Sequence, residues 1–241
     1  MSNPDLGEHH RAWASSTCVN KFEGKAVEDF FRTETHFLDE IGPGLKSVLD
    51  IGCASGRFAN LIACYTPSFE YTGADLVAEG VERARQNFPQ HRFLVGNALD
   101  LELGSTFQLV NATGVVQHEP RFQELVERMV SWSSRYVLFD LKAAPISAHL
   151  VDWERSFVTI GDDRLYFVVL SYPRLLAWLR KMPGLATVRI YGYETKPNAR
   201  TTVPPDLGPF ASVGVLLELG DPQGDDVIVD TDVPDFLARE E

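Results

Sequence analysis

The chemistry-bearing residues concentrate in one short run, Asp50-Ile51-Gly52-Cys53-Ala54-Ser55-Gly56-Arg57, with the pattern D-x-G-x-x-x-G. Its small residues let a ligand approach the backbone, and a helix starting near Gly56 offers unpaired N–H groups. A second acid, Asp75, follows 23 residues after Gly52. At the tip of the second strand of a doubly wound sheet, such an acid can take both hydroxyls of a ribose. The third group is His118, followed by Glu119 and Pro120. Imidazole titrates near neutrality and suits removal of a proton from a hydroxyl or an ammonium. Packing its loop or supporting a cofactor is the other role open to His118.

The elements that must position these groups alternate along the chain. Short apolar strands are expected at 47–51, 70–75, 92–96, 107–112 and 136–140. Between them, helical spacing carries Phe58, Leu61 and Ile62, then Val81 and Ala84, then Phe122 to Trp132. Such alternation argues for a doubly wound, Rossmann-like α/β fold. The expected sheet has seven mostly parallel strands with helices on both faces. Two later strands, Thr187–Tyr193 and Ser212–Leu219, are close enough to pair antiparallel at its end. Upstream, apolar positions from Lys25 to Ile41 suit one helix, stopped by Gly42-Pro43-Gly44. Another helix is expected over Pro173–Lys181, with proline in its first turn.

Dinucleotides and S-adenosylmethionine are the two ligand classes that use a glycine loop followed by an acid. The dinucleotide fingerprint needs a glycine where Ala54 stands, and Asp50 sits badly beside a pyrophosphate. It sits well near a sulfonium and an ammonium. Gly24-Lys25 lacks the rest of a phosphate loop.

Residues 46–141 resemble the class I S-adenosylmethionine-dependent methyltransferases, with the motifs in the family's order. Asp50 to Gly56 is similar to the first motif, and Asp75 to the ribose acid. Gly96-Asn97-Ala98-Leu99-Asp100-Leu101 is similar to the adenine-binding turn, and Gly114-Val115-Val116-Gln117-His118 to the segment after strand four. Two departures are Ala54 in the glycine loop and Asn97 where many relatives place Asp. The resemblance implies that Asp50, Gly52 and Ala54 hold the methionine end and that Asp75 and Leu76 hold ribose and adenine. Asn97 and Ala98 then read the adenine edge. It extends the cofactor set to Cys53, Gly56, Arg57, Leu99, Thr113, Gly114 and Val115. The implied function is methyl transfer from S-adenosyl-L-methionine, with S-adenosyl-L-homocysteine as product, to O or N of a small molecule. His118 is the candidate base. A protein or nucleic-acid methyltransferase and a non-catalytic scaffold with the same fold are the alternatives.

Composition limits the partners. The chain has 241 residues, 44% hydrophobic, enough for a sizeable core. Its net charge is −12, of which −8 falls between Glu218 and Glu241. No basic run exists to hold nucleic acid. No apolar stretch is long enough for a membrane helix, and residues 1–5 do not open like a signal peptide. Cys18, Cys53 and Cys64 form no CxxC pair, which fits a cytoplasmic chain. Asp140 ends strand five without matched carboxylate partners, so no metal is expected. The expected organisation is an N-terminal helical cap and substrate lid (1–44), a catalytic domain (45–220) with an insertion at about 142–170, and an acidic tail (221–241). The tail reads as a solvated extension or a docking segment, although Val227-Ile228-Val229 could add an edge strand. The acceptor should meet Trp13 and Phe22 of the cap. It should also meet His149, Trp153, Phe157, Tyr166, Tyr172 and Arg174, in or beside the insertion. A monomer or homodimer is expected.

Overall fold

The computed structural model of the protein describes residues 12–13, 30–221 and 227–238. Phe22 and Cys18, and most of the expected cap, lie outside the described residues.

The first half builds the alternating unit. Its elements are β1 (Ser47–Ile51), α3 (Arg57–Ala63), β2 (Glu70–Asp75), α4 (Ala78–Asn87), β3 (Arg92–Val95), β4 (Phe107–Ala112), α5 (Phe122–Trp132) and β5 (Ser133–Ala144). Ahead of them stand two four-residue helices, α1 (Arg32–Thr35) and α2 (Leu38–Ile41). A 3-10 turn, Val116–His118, follows β4. The later elements are β6 (Phe157–Ile160), β7 (Asp163–Tyr166), β8 (Val169–Ser171), α6 (Tyr172–Leu179), β9 (Leu185–Thr195), β10 (Thr201–Thr202), β11 (Phe210–Leu219), β12 (Ile228–Asp232) and α7 (Asp235–Ala238).

The main sheet runs β3-β2-β1-β4-β5-β11-β9-β12. Strands β1 to β5 pair in parallel, and β11 is antiparallel to both β5 and β9. The order reverses between β1 and β4, which opens a crevice at the carboxyl ends of those strands. Alternate side chains serve opposite faces. Leu49, Val110 and Phe139 join one core with Leu125 and Met129 of α5. Val48, Leu109 and Leu138 join the other with Phe58, Leu61 and Ile62 of α3. Among the described residues no helix is long and apolar enough to cross a membrane.

Four features differ from the sequence expectations. The sheet gains two strands over the expected seven: β8, parallel to Lys142–Ala144 at the end of β5, and β12. The expected solvated tail thus contains a strand, paired in parallel with Thr187–Tyr191 of β9, and Leu237 beyond it is buried. The expected single helix ending at Ile41 is broken, in its described part, into α1 and α2. Thr33 and Glu34 of α1 are drawn onto the sheet by Asp140 and Arg57, which fixes that turn independently of α2. The aperiodic insertion is partly sheet: β6 and β7 form a hairpin, and β10 pairs with β6. The expected helix after residue 172 is present, with Ser171 as its cap and Pro173 in its first turn.

Candidate active site

The β1–α3 loop turns through three residues with positive φ: Gly52 (74°), Ala54 (47°) and Gly56 (87°). Ala54 is the one non-glycine residue with positive φ among the described residues, and such strain gathers at ligand sites. A side chain at position 52 would collide with Val115 of the neighbouring loop. Asp75, at the tip of β2, steadies the loop from below. Its Oδ2 accepts from the Ala54 amide at 2.9 Å and its Oδ1 from the Val77 amide at 2.8 Å. Burial pushes the Asp75 carboxyl above its ordinary value, and the amides of Val77, Ala54 and Leu76 pull it back.

Gly52, Ala54 and Asp75 line a first cavity with Arg57, Leu76, Asn97, Ala98, Leu99, Thr113, Gly114 and Val115, and with Trp13 and His118. Ile51, Ala74, Val77, Gly80, Gly96, Glu119 and Leu125, outside the expected cofactor set, complete its wall. Asn97 serves its own turn first, since its Oδ1 accepts from the Leu99 amide at 3.0 Å.

Three expected cofactor residues stand behind the wall. Asp50 is 3% exposed, and its carboxylate accepts from the Tyr71 hydroxyl and from Asn111 Nδ2 at 2.7 Å. Burial pushes its carboxyl up to about 6, against the hydrogen bonds from Tyr71 and Asn111. Asp50 therefore joins β1 to β2 and β4 rather than facing the cavity. Cys53 packs into the core close to Gly73 and Phe93. The Phe88 ring lies against Gly56. Small size at both positions serves packing.

A second cavity of about 390 Å³ adjoins the first and shares Trp13, Arg57, Gly114 and His118 with it. Gly114 has φ 81° and nothing within 4 Å of where a Cβ would stand, so a side chain there would project into open space at this junction. The Gly114 amide is held by Asp140 Oδ1 at 2.6 Å, while Asp140 Oδ2 accepts from the Thr33 hydroxyl at 3.1 Å. Lys142, two residues along β5, donates from Nζ to Ser212 Oγ at 2.6 Å. Burial lowers the Lys142 ammonium, and Asp140 pulls it back up. Phe31 and Thr33 near α1, Val158, Ile160 and Leu165 of the hairpin, and Tyr193, Phe210 and Ser212 of β9 and β11 also line this cavity, with Lys196 and Arg200 at its rim.

His118 stands between the cavities. Its Nδ1 lies 2.6 Å from the Tyr166 carbonyl oxygen. A carbonyl can only accept, so Nδ1 carries the hydrogen and the lone pair resides on Nε2. The ring is held edge-on to Trp13, with centroids 5.3 Å apart.

Most of the expected acceptor set stands outside the second cavity. Trp13 and His118 line the second cavity; Trp153, Phe157, Tyr166, Tyr172, Arg174 and His149 do not. Trp153 packs on the Tyr166 ring, and Tyr166 contributes its carbonyl. Phe157 takes the Arg164 guanidinium over its ring. Tyr172 is buried in the core and Arg174 is exposed on α6. His149 Nδ1 accepts from the Ser171 amide at 3.1 Å, and burial lowers its imidazole. Asp140, Lys142, Tyr193 and Ser212 line the second cavity and fall outside the expected acceptor set because distant strands assemble them.

S-adenosylmethionine fits the first cavity by its donor set. Each Asp75 oxygen retains acceptor capacity after its amide bond, suited to ribose hydroxyls, and Leu76, Ala98 and Leu99 offer apolar walls to a planar base.

Residues 48–134 match the family described as "Methyltransferase domain". The chain is 23% identical over 163 residues to a putative methyltransferase 235L of Invertebrate iridescent virus 6, covering 65% of this chain and 60% of the relative. It is 28% identical over 85 residues to a trans-aconitate 2-methyltransferase of Rhodopseudomonas palustris, 35% of this chain and 33% of that one. The chain thus spans less than two thirds of the length of these curated relatives. The fold is similar to the N-methyltransferase NodS of Bradyrhizobium japonicum, solved with S-adenosyl-L-homocysteine, at a TM-score of 0.53 and 13% identity over 89% of this chain and 98% of that one. With the glycine loop, Asp75 at the tip of β2 and the reversed strand order in place, residues 48–134 form a methyltransferase domain, and the chain has the Rossmann-like fold of the S-adenosylmethionine-dependent methyltransferases it resembles.

Proposed function

We propose that the second cavity holds a small-molecule acceptor and that the methyl group passes to one of its O or N atoms at the junction beside Gly114. The observation that carries this reading is the pair of cavities meeting at Gly114 and His118. A cavity of about 390 Å³ is on the scale of small-ligand pockets. The two curated relatives and the solved neighbour are methyltransferases by name, and one of them is named for a small acid, trans-aconitate.

When bound, S-adenosylmethionine supplies a methyl carbon activated by positive sulfur. The chain's own part is alignment, exclusion of water and handling of one proton. Gly52, Ala54 and Asp75 fix the donor side, while the hairpin, α1 and β11 enclose the acceptor side. Holding both reactants in line supplies up to roughly 7–11 kcal/mol of the barrier. His118, with its lone pair on Nε2, takes the proton from an O–H or ammonium acceptor, and a positioned base adds about 10²–10⁴-fold.

The test is calorimetric binding of S-adenosyl-L-homocysteine to the wild type and to Asp75→Ala, with NAD as a control. Tight binding to the wild type, at least about tenfold weaker in the variant, is expected from the loss of charge-assisted hydrogen bonds. Tight NAD binding, or an unchanged Asp75→Ala affinity, overturns the reading.

A further inference from the structure

We propose that the acceptor carries an oxyanion, a carboxylate or a phosphate, seated on the Lys142 ammonium in the second cavity. This rests on the methyl-transfer reading of the site. In a chain of net charge −12, the walls of this cavity bear Arg57, Lys142, Lys196 and Arg200 against one acid, Asp140. Asp140 is already engaged, one oxygen by Thr33 and the other by the Gly114 amide. Arg57 is paired with Glu34. Among the described residues no carboxylate lies within ion-pair distance of Lys142, Lys196 or Arg200.

Lys142 differs from the other two because it is built into the wall. The β5–β11 register sets Ser212 directly opposite it, and the ammonium donates to the serine hydroxyl. An ammonium has three N–H bonds to give, so two remain for a ligand. A part-buried cation with no ion-paired carboxylate, its charge met only at longer range by Asp140, is unfavourable, and the low dielectric that makes it so also strengthens its attraction for an incoming anion. Lys196 and Arg200 are exposed at the rim, placed to draw anions in. His118 lines the same cavity. A molecule anchored by its oxyanion at Lys142 can therefore present a separate hydroxyl or amine to the imidazole.

The experiment follows S-adenosyl-L-homocysteine formation over a panel of hydroxy- and amino-carboxylic acids, their phosphate-bearing counterparts and the matched neutral carboxamides. Turnover is expected on anionic members alone, and the carboxylate and phosphate arms identify which oxyanion the site takes. Lys142→Met should lower kcat/KM for the active members by about tenfold or more, as loss of a charged hydrogen bond requires. Lys142→Arg should retain more activity than Lys142→Met, and both should bind S-adenosyl-L-homocysteine as the wild type does. If Lys142→Met fails to fold, the double variant Lys196→Gln/Arg200→Gln takes its place, with reduced kcat/KM and a flatter salt dependence expected. Carboxamides turned over as well as the acids, no anionic member turned over, or variants with wild-type kcat/KM overturn the inference. A wild type that does not bind S-adenosyl-L-homocysteine overturns the methyl-transfer reading instead.

Discussion

The Glu34 carboxylate, with its side chain only 1% exposed, is ion-paired with the Arg57 guanidinium, so α1 and the glycine loop are held together electrostatically. Glu34 also accepts from the Phe31 amide at 2.7 Å and from the Thr113 hydroxyl at 3.4 Å. Arg57 lies over the Phe30 ring, 4.4 Å from its centroid. One carboxylate thus fastens α1, the start of α3 and the loop after β4 around both cavities.

Removing one partner of a buried pair costs about 3–5 kcal/mol, since the other charge stays behind unpaired. Arg57 is 13% exposed, which favours the lower figure. Glu34→Gln should therefore melt roughly 6–12 °C below the wild type. A calorimetric scan with an unchanged midpoint would show that the pair does not hold α1 down.

Asp50 gives a prediction with a definite sign. Its carboxyl, pushed up to about 6 by burial, holds a proton that the unfolded chain would already release near pH 4. The native state binds more protons across that window, so this group's contribution to stability is full below pH 4 and is lost as pH rises through 6. Above pH 6 the buried carboxylate is a cost of at most about 3 kcal/mol. Asp50→Asn keeps an acceptor for Tyr71, and its amide replaces the oxygen that accepts from Asn111 Nδ2, so the Asn111 amide must turn over to present its Oδ1, buried without a partner among the described residues. The variant should melt higher than the wild type at pH 8, with the difference vanishing toward pH 4. A lower melting point at pH 8 would mean that the ionised carboxylate stabilises the three-strand junction.

The lining of the first cavity could be read from the sequence because its parts are local. Gly52, Ala54 and Asp75 occur within one strand-helix-strand unit, and the apolar spacing on either side sets the strand ends. Asp50 was placed one layer too far forward: on a strand, it must point to one face or the other, and the partner it meets, Asn111, comes from β4. The second cavity was not legible. Lys142 meets Ser212 only through the pairing of β5 with β11, and α1 reaches Asp140 only once the sheet is complete. Aromatic residues of the insertion looked like a lid, but Trp153 and Tyr166 pack on one another and Phe157 is covered by Arg164. In the last segment, Asp225, Asp226, Asp230 and Asp232 surround Val227-Ile228-Val229, and their charge outweighed a strand signal three residues long.

That last strand bears on truncation. Five residues of β12 pair with β9, and Val229, Val233, Phe236 and Leu237 pack on the core beneath α6 and β9. Leu237 is 3% exposed, and replacing a buried leucine by alanine costs about 2–5 kcal/mol. Ending the chain at Asp221 should therefore lower the melting point by several degrees, while the distant first cavity keeps its S-adenosyl-L-homocysteine affinity. Leu237→Ala should reproduce a large share of the loss. An unchanged melting point in both would leave β12 as a strand of no energetic consequence.

The remaining prediction concerns His118, whose two ring nitrogens have different tasks. Nδ1 donates to the Tyr166 carbonyl, which fixes the ring to β7 and leaves the lone pair on Nε2. A residue that only packed its loop would need no tautomer fixed by a backbone carbonyl. As a base, His118→Ala should cut turnover by about 10²-fold or more with S-adenosyl-L-homocysteine affinity nearly unchanged. His118→Gln can keep a hydrogen bond but cannot carry the proton at neutral pH, so it should be almost as slow. An acceptor that is already deprotonated at the methylated atom removes the need for a base, and both variants would then turn over near the wild-type rate. Raising the pH discriminates further: an acceptor losing its own proton should restore activity to His118→Ala at high pH, whereas defective positioning should not respond. Equal losses in turnover and in S-adenosyl-L-homocysteine affinity would instead assign the imidazole to the cofactor wall, which it also lines.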